Sequence, residues 1–320
     1  MTDIKQNNTG NTNAAEPQIM VSVCCLVYNH EPFLRECFEG FVMQKTTFPI
    51  EILVHDDAST DHSADIIREY TAKYPDLFKP IYQTENQYSK GVKITATYQI
   101  PRARGKYIAM CEGDDYWIDP LKLQKQVEFL EENTDFSLCF HKVKIESEDE
   151  KDMEIYAHLE ERAYTNREIY NKWTIPTCSV LFKRVNLNYK TSSKIVFGDI
   201  YLFLTIMRKG NAFCLDFCGA VYRRHANGMS SPSIWNKKLA KKLFYQYRFM
   251  QNEFPDVKDI SIRLRNKYLK QLLDDKNDRD TLKFRLYKMW YEPKLFFSRF
   301  AIATIVKYLP YRIYIALKNA

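Results

Sequence analysis

Residues 106–117 read KYIAMCEGDDYW, an apolar run that leads directly into a turn with two adjacent aspartates. The run predicts a short buried strand, so Asp114 and Asp115 are expected just past its end. Two neighbouring carboxylates on a tight turn suit Mg²⁺ or Mn²⁺, because these hard cations prefer oxygen ligands and keep positions open for phosphate oxygens. A turn with helix-capping aspartates is the alternative interpretation of this segment.

Outward from this turn, apolar strands alternate with amphipathic segments. Residues 19–28 form an almost continuous apolar run, which predicts a strand buried on both faces. Pro32 follows, and apolar residues recur after it at helical spacing. This alternation predicts an α/β sheet with helices on both faces. The predicted strands are 19–28, 50–55, 78–82, 106–111, 136–143 and 175–182; helices are predicted after residues 31, 61 and 119 and within 91–103 and 235–273.

Polar pairs follow three of the predicted strands, namely Tyr28-Asn29, Asp56-Asp57 and Asp114-Asp115. Ligands of open α/β sheets bind at the carboxyl ends of the strands, so these pairs mark a binding edge. A carboxylate there can accept a hydrogen bond from a ribose hydroxyl or from a base N–H. Helix N-capping explains part of the segment HDDASTD at 55–61 equally well.

In order and spacing, these segments resemble the family 2 glycosyltransferases, which are inverting enzymes with a GT-A fold, a Rossmann-like nucleotide-diphospho-sugar transferase sheet. The resemblance implies transfer of a single sugar from a nucleotide-sugar to a hydroxyl of a glycan or lipid-linked acceptor in surface polysaccharide synthesis. It favours a UDP-sugar and leaves dTDP open. The chain has no Gln-x-x-Arg-Trp segment of the processive synthases, which favours single transfer. The matching segments are 21–23, 28–29, 56–61, 103–108 and 112–117.

The resemblance also implies roles for individual residues. Asp57 is expected to contact the nucleotide base, Asp114 to hold the ribose or the sugar, and Asp115 to ligate the Mn²⁺ or Mg²⁺ that bridges the diphosphate. Ala58 stands where the family usually has glycine, which predicts a turn without a positive φ. The other residues expected to bind the nucleotide-sugar are Val27, Tyr28, Asn29, Lys90 and Arg224.

Two further residues complete the expected site. Asp199 opens an apolar helical segment, FGDIYLFL at 197–204, and is the best positional match to the family's general base. A carboxylate there could take the acceptor proton during backside attack on the anomeric carbon, and a plain N-cap is the alternative. By resemblance His225 lies near the diphosphate, as a further metal ligand; a surface histidine is the alternative.

Three other functions are alternatives to sugar transfer. A sugar nucleotidyltransferase would carry a glycine-rich, arginine-containing loop after its first strand, and residues 28–32 here read YNHEP. A dinucleotide oxidoreductase fails the same test. A non-catalytic binding subunit that keeps the GT-A fold is the remaining alternative, and the carboxylates at 57, 115 and 199 argue against it.

The composition sets the domain organisation. The net charge is +7, yet residues 231–320 hold 20 Lys and Arg against 8 Asp and Glu, so the rest of the chain is net acidic and a nucleic-acid partner is not indicated. We expect a disordered tail at 1–18, the GT-A domain at 19–230 with a mobile insertion at 147–161, and a helical basic region at 231–320. Residues 282–320 mix basic and aromatic residues, which predicts association with an anionic membrane surface; packing on the catalytic domain is the alternative.

The cellular location is also inferred from composition. The N-terminal stretch has no apolar core like that of a signal peptide, so we expect a cytoplasmic protein, peripheral on the inner face of the plasma membrane. The eight cysteines show no zinc-ligand or disulfide spacing, and Cys214 and Cys218 lack a second pair. Buried, reduced thiols are therefore expected.

Overall fold

The structure is a computed structural model that describes residues 18–147, 156, 158–172, 174–184, 187, 192–226, 228 and 236–273. The tail predicted at 1–18 lies almost entirely outside these residues, and so does the membrane-associating segment predicted at 282–320, which stays a prediction. Most of the insertion predicted at 147–161 is likewise not described, although Leu159 is buried in the core. In the part of the chain that the structure describes, no helix combines the length and apolar composition needed to cross a bilayer.

The described residues form one mixed sheet of nine strands in the order β3-β2-β1-β4-β8-β6-β9-β5, with β7 paired to β9. Strands β3, β2, β1 and β4 run parallel, β8 is antiparallel to β4 and β6, and β6 runs parallel to β9. This confirms the predicted α/β class. The strands are β1 Val21–Val27, β2 Ile50–Asp56, β3 Ile81–Tyr82, β4 Tyr107–Met110, β5 Tyr116–Trp117, β6 Phe136–Ser147, β7 Arg162–Tyr164, β8 Leu181–Lys183 and β9 Asn211–Arg224.

Seven α-helices of the described residues flank the sheet. Helix α1 begins at Glu31 with Pro32 in its first turn, as predicted, because proline's fixed φ suits a helix start. Its buried positions recur every three or four residues, so one stripe faces the sheet. The helices are α1 Glu31–Val42, α2 Ser63–Lys73, α3 Lys122–Glu132, α4 Asn166–Lys172, α5 Gly198–Ile206, α6 Lys237–Glu253 and α7 Lys258–Leu273.

The core has two parts, one on each face of the sheet. In β1, Val23 and Cys25 pack with α1, α2 and α3, whereas Cys24 between them packs on the opposite face with residues of α5, α6 and α7. This confirms that the strand is buried on both faces. Seven of the eight cysteines are buried, Cys218 is intermediate, and all eight are free thiols.

Two predicted elements are wrong in detail. The strand expected at 175–182 is a 3-10 turn, Thr177–Ser179, followed by the short strand β8. The helix expected within 91–103 is a π-helical turn, Thr95–Gln99, and a 3-10 turn. Pro101 removes a backbone donor there, and the buried Gln99 side chain turns to the carbonyl oxygens of Cys25 and Leu53, at 2.9 and 3.2 Å. Tertiary hydrogen bonds thus replace regular helical ones.

Candidate active site

The predicted polar pairs meet at one edge of the sheet. Val27 at the end of β1 is in register with Asp56 at the end of β2, and the backbone N–H of Asp57 donates to the carbonyl of Val27 at 2.9 Å. The turn after β4 is fixed to the same place, because the N–H of Gly113 donates to the carbonyl of Leu26 at 2.8 Å. The three strand ends therefore present their side chains side by side.

The turns after β1 and β2 are tied together by Asn29. Its Oδ1 accepts from the N–H of Thr60 at 2.7 Å, and its own N–H donates to Ser59 Oγ at 2.9 Å. Asn29 and Ala58 both have a positive φ, 55° and 61°. The expectation that Ala58 makes a turn without positive φ is wrong, because these cross-turn hydrogen bonds hold the backbone there against the steric penalty of a Cβ.

Asp57 fixes a loop. Its carboxylate is buried, and its two oxygens accept the backbone N–H groups of Gln87 at 2.8 Å and Tyr88 at 3.0 Å. This loop carries Tyr88, which is 45 % exposed, as is Tyr28 just past the end of β1. It also carries Lys90, which forms an ion pair with Glu85. The predicted contact of Asp57 with a base stays a prediction, and a carboxylate has lone pairs for it beyond the two loop amides.

The acidic turn concentrates negative charge. Asp115 is 2 % exposed, and its Oδ1 accepts the backbone N–H of Arg223 at 2.8 Å. Burial, together with the charges of Asp114 and Glu112, raises the pKa of Asp115 well above its usual range. Burial likewise raises the pKa of Glu112 to about 8, with Asp114 and Asp199 adding to the effect. The carboxylates oppose one another's ionisation, so the turn favours a cationic partner.

Two histidines lie against Asp114. His225 Nε2 is 3.1 Å from Asp114 Oδ2, and His30 Nε2 is 3.9 Å from the same oxygen. Burial opposes ionisation of Asp114, but these imidazoles outweigh it and lower its pKa. A Cβ on Gly113 would lie 2.8 Å from His30 Nδ1, so glycine is needed for the close approach. The structure thus pairs His225 with Asp114, whereas a role for His225 at a metal remains a prediction.

Asp199 lies in the first turn of α5 and belongs to the same electrostatic environment. Besides its effect on Glu112, its charge adds to burial in raising the pKa of Tyr88 and of Tyr156. The buried Gln246 of α6 sets the start of α5, since its Oε1 accepts the N–H groups of Val196 and Phe197 at 2.7 and 3.1 Å. The C-terminal helices therefore help to position the candidate base.

A sequence model described as "Glycosyl transferase family 2" matches residues 22–228, which contain the acidic turn and every predicted site residue from Val27 to His225. The chain belongs to glycosyl transferase family 2. The match goes against the nucleotidyltransferase alternative. It covers the sheet, the acidic turn, Asp199 and the end of β9.

Individual relatives extend the comparison. The chain is 39 % identical over 230 residues to an uncharacterized protein of Mycobacterium tuberculosis, Rv1520, and the match covers 71 % of this chain and 64 % of that protein. It is 30 % identical over 215 residues to the Escherichia coli protein WfaP, named as a UDP-Glc:alpha-D-GlcNAc-diphosphoundecaprenol beta-1,3-glucosyltransferase; 66 % of this chain and 80 % of WfaP are covered.

Solved structures show the fold. Residues 1–349 of Staphylococcus aureus TarS, solved with UDP-GlcNAc, align with a TM-score of 0.60 at 16 % identity, covering 83 % of this chain and 79 % of that one. The mannosyltransferase PcManGT of Pyrobaculum calidifontis, solved with GDP-Man and Mn²⁺, aligns with a TM-score of 0.54 at 17 % identity, covering 92 % and 88 %. This glycosyltransferase family member therefore has the GT-A fold predicted from its sequence.

The carboxylate oxygens of the acidic turn fit a divalent cation such as Mn²⁺ or Mg²⁺. Among the described residues, no three Asp, Glu, His or Cys side chains converge as a complete ligand set. Mg²⁺ and Mn²⁺ do not need one, because one or two carboxylates and the substrate's phosphate oxygens suffice. Asp115 is the candidate ligand, since the mutual repulsion of its neighbouring carboxylates would be relieved by a cation.

The basic segment that ends β9 was predicted to support the diphosphate, with Arg224 as the donor-binding residue, but it is Arg223 that contacts the acidic turn. Arg224 ends β9 opposite Ser147, and its role stays a prediction. Arg223 is 7 % exposed and contacts the acidic turn through backbone and side chain. The signal was present, because a basic residue near the end of a strand seldom points inward without a charged partner. The partners, Glu36 and Glu146, come from distant parts of the chain.

Proposed function

We propose that this protein is an inverting glycosyltransferase that moves one sugar from a UDP-sugar to a hydroxyl of a glycan or lipid-linked acceptor in surface polysaccharide synthesis. The observation that carries the proposal is the sheet edge at which hydrogen bonds tie the turns after β1, β2 and β4 together, so that the buried carboxylates of Asp57 and Asp115 lie at one edge. The charge of Asp199 acts on Glu112 in the acidic turn, so the candidate base shares the electrostatic environment of the candidate diphosphate site. This is the arrangement that single displacement at an anomeric carbon requires.

Each carboxylate has a distinct task in this proposal. Asp199 accepts the proton of the acceptor hydroxyl while that oxygen bonds to the anomeric carbon and the bond to the diphosphate oxygen breaks. Asp115 would hold Mg²⁺ or Mn²⁺, and the bound cation would supply positive charge for the departing diphosphate. Asp57 and the loop it fixes hold the nucleotide, with Tyr28 and Tyr88 exposed beside it. Asp114, oriented by His225, hydrogen-bonds the ribose or the sugar.

The relatives support the substrate classes. The name of WfaP gives UDP-Glc as donor and a diphosphoundecaprenol-linked sugar as acceptor, and TarS was solved with UDP-GlcNAc. PcManGT was solved with GDP-Man, so the fold does not select UDP by itself. Release of nucleoside diphosphate from UDP-, dTDP- and GDP-sugars identifies the donor, and a hexose must be tested against an N-acetylhexosamine. Failure of every donor, with no hydrolysis, would favour the non-catalytic binding subunit.

The role of Asp199 is tested by Asp199→Asn, because asparagine keeps the size and capping ability of aspartate but cannot take a proton. Transfer should fall by about two to four orders of magnitude, while UDP binding and the melting temperature stay at wild-type values. Asp216→Asn is the matched control, since Asp216 is an exposed acid of β9 paired with Lys142. Near-normal transfer by Asp199→Asn would reject the assignment.

A further inference from the structure

Arg223 carries a permanent charge, yet its side chain is only 6 % exposed. A buried guanidinium is costly unless its fixed set of donors is paired. The partners of Arg223 therefore show which parts of the molecule it holds in place. They join the acidic turn to α1, β5 and β6.

Arg223 touches both members of the acidic pair. Its backbone N–H donates to Asp115 Oδ1 at 2.8 Å, which restrains the rotation of that carboxylate. Its Nη1 donates to the backbone carbonyl of Asp114 at 3.2 Å, which fixes the peptide between the two aspartates. Two residues later His225 contacts the side chain of Asp114, so the end of β9 follows the turn from one aspartate to the other.

The rest of the guanidinium ties this turn to three other elements. Nη2 pairs with Glu36 of α1, and Nε lies 3.3 Å from Glu146 of β6. The guanidinium carbon is 4.2 Å from the ring centre of Tyr116 in β5, whose hydroxyl donates to Glu146. Strand β5 is antiparallel to β9, so the pairing of Tyr116 with Val221 places these groups together. The contact of Nε with Glu146 is an ion pair without a hydrogen bond, so the two Nη groups supply the hydrogen bonds, to Glu36 and to the Asp114 carbonyl. A planar guanidinium reaches these partners at once, whereas a single ammonium cannot.

We propose that Arg223 is a positioning residue for the transfer reaction: it orients Asp115 and the Asp114 peptide toward the cation and diphosphate of the donor. The inference rests on the proposed function for its reaction. It extends that function by assigning the orientation of the acidic turn to β9, a strand more than a hundred residues away in the chain. Arg223 does not touch the reacting atoms, so its effect passes through the two aspartates.

The test compares Arg223→Lys with Arg265→Lys. Arg265 in α7 is 5 % exposed and donates to Gln251 at 2.8 Å, so the control makes the same change at another buried arginine. Mn²⁺ binding is measured by electron paramagnetic resonance without nucleotide, and steady-state transfer is measured separately. Arg223→Lys should bind Mn²⁺ about 10- to 100-fold more weakly and lower kcat by a similar factor, as residues that orient metal ligands do. The KM for the acceptor should not change, and Arg265→Lys should match wild type in every readout.

Wild-type Mn²⁺ affinity in Arg223→Lys, or a wild-type protein that binds no Mn²⁺, would overturn the proposal. If Arg223→Lys does not fold, Glu146→Gln replaces it, because the Glu146 side chain is 55 % exposed and an amide should be tolerated there. Glu146→Gln should also weaken Mn²⁺ binding. Unchanged Mn²⁺ binding in this variant would likewise overturn the proposal. Mn²⁺ binding is measured without turnover, so failure of the proposed role of Arg223 can be distinguished from failure of the proposed transfer reaction. Loss of Mn²⁺ binding in a protein that transfers no sugar would reject the proposed function and keep the role of Arg223.

Discussion

The two halves of the sheet supply the candidate site in different ways. In the parallel half, β1 to β4, each functional carboxylate follows its strand by a few residues, and hydrogen bonds to the neighbouring strand end fix it there. In the mixed half, Asp199 and Arg223 come from a helix and a strand end whose placement depends on α6, α1 and β6. Local sequence order therefore determines the donor side, whereas packing between distant segments determines the side that holds the candidate base.

The largest effect is expected from removing the carboxylate of Asp115. Asp115→Asn, or EDTA with wild type, should lower transfer roughly a thousand-fold, because several kcal/mol of charge stabilisation are lost. UDP binding in the presence of Mn²⁺ should weaken as well, in contrast to Asp199→Asn, which should leave it intact. Loss of UDP binding in the Asp115 variant but not in the Asp199 variant would assign nucleotide binding to the parallel half and proton removal to the mixed half.

Asp119→Asn is the control for Asp115, because Asp119 lies four residues later, accepts from Lys125 and Leu121, and stays an acceptor as the amide. Calorimetric titration of UDP checks binding, and coupled nucleotide release checks turnover. Wild-type rates in EDTA would reject the metal role. Equal loss of UDP binding in the Asp115 and Asp199 variants would reject the division between the halves.

A smaller effect is expected at Asp57. Asparagine has one accepting oxygen, so in Asp57→Asn either Gln87 or Tyr88 loses the acceptor of its N–H. Hydrogen exchange at those two amides should become at least about ten-fold faster without ligand, and UDP should bind about ten-fold more weakly, each corresponding to about 1.4 kcal/mol.

Asp61→Asn is the matched control for this loop, since Asp61 also accepts two backbone N–H groups, those of Glu31 and Ser63. It should leave exchange at Gln87 and Tyr88 unchanged. Weaker UDP binding in Asp57→Asn without faster exchange would mean that Asp57 acts on the base alone and does not hold the loop.

The smallest effect is a pH dependence of stability from His55. This side chain is fully buried beside Tyr98, and among the described residues neither ring nitrogen has a hydrogen-bond partner. Burial lowers its pKa to about 4, and the carboxylate of Asp57 offsets only part of the effect. The unfolded chain therefore binds more protons than the folded one between about pH 6.5 and 4, so stability is lost as the pH falls through that window.

The free energy of unfolding, measured with urea, should fall between pH 7 and pH 5 by about 1–2 kcal/mol more in wild type than in His55→Gln. The control is His62→Gln. The hydrogen bond to Asp65 raises the pKa of the exposed His62, so protonation of this side chain favours the folded state as the pH falls, opposite to the effect of His55. An identical pH dependence in wild type and His55→Gln would show that the folded protein accommodates a charged His55. In that case the parallel half would be more polar inside than its burial indicates.

The sequence predicted the parallel half almost completely. The strand ends, the acidic turn and the helix after Pro32 could be predicted because periodicity and turn residues depend on near neighbours. These features were enough to predict the GT-A class. Strand β9 was not predicted, since its long-range pairing with β6 contains register shifts that no local pattern indicates. Arg223 was missed for the same reason, because its partners lie on three separate elements. Ala58 shows the reverse. The local rule that residues other than glycine avoid a positive φ failed there, because tertiary hydrogen bonds override it.

Helix α5 leads through the turn Met207–Lys209 directly into β9, so Asp199, Arg223 and His225 lie on one uninterrupted stretch, residues 198–225. The candidate base and the residues that contact the acidic turn from β9 therefore lie on one segment of the chain, whereas Asp57, the loop it fixes and the acidic turn itself lie upstream of residue 116. A crossover between two relatives in α3 or β6 would exchange one set as a unit and keep the other. Such chimeras would mix the nucleotide preference of one parent with the acceptor preference of the other.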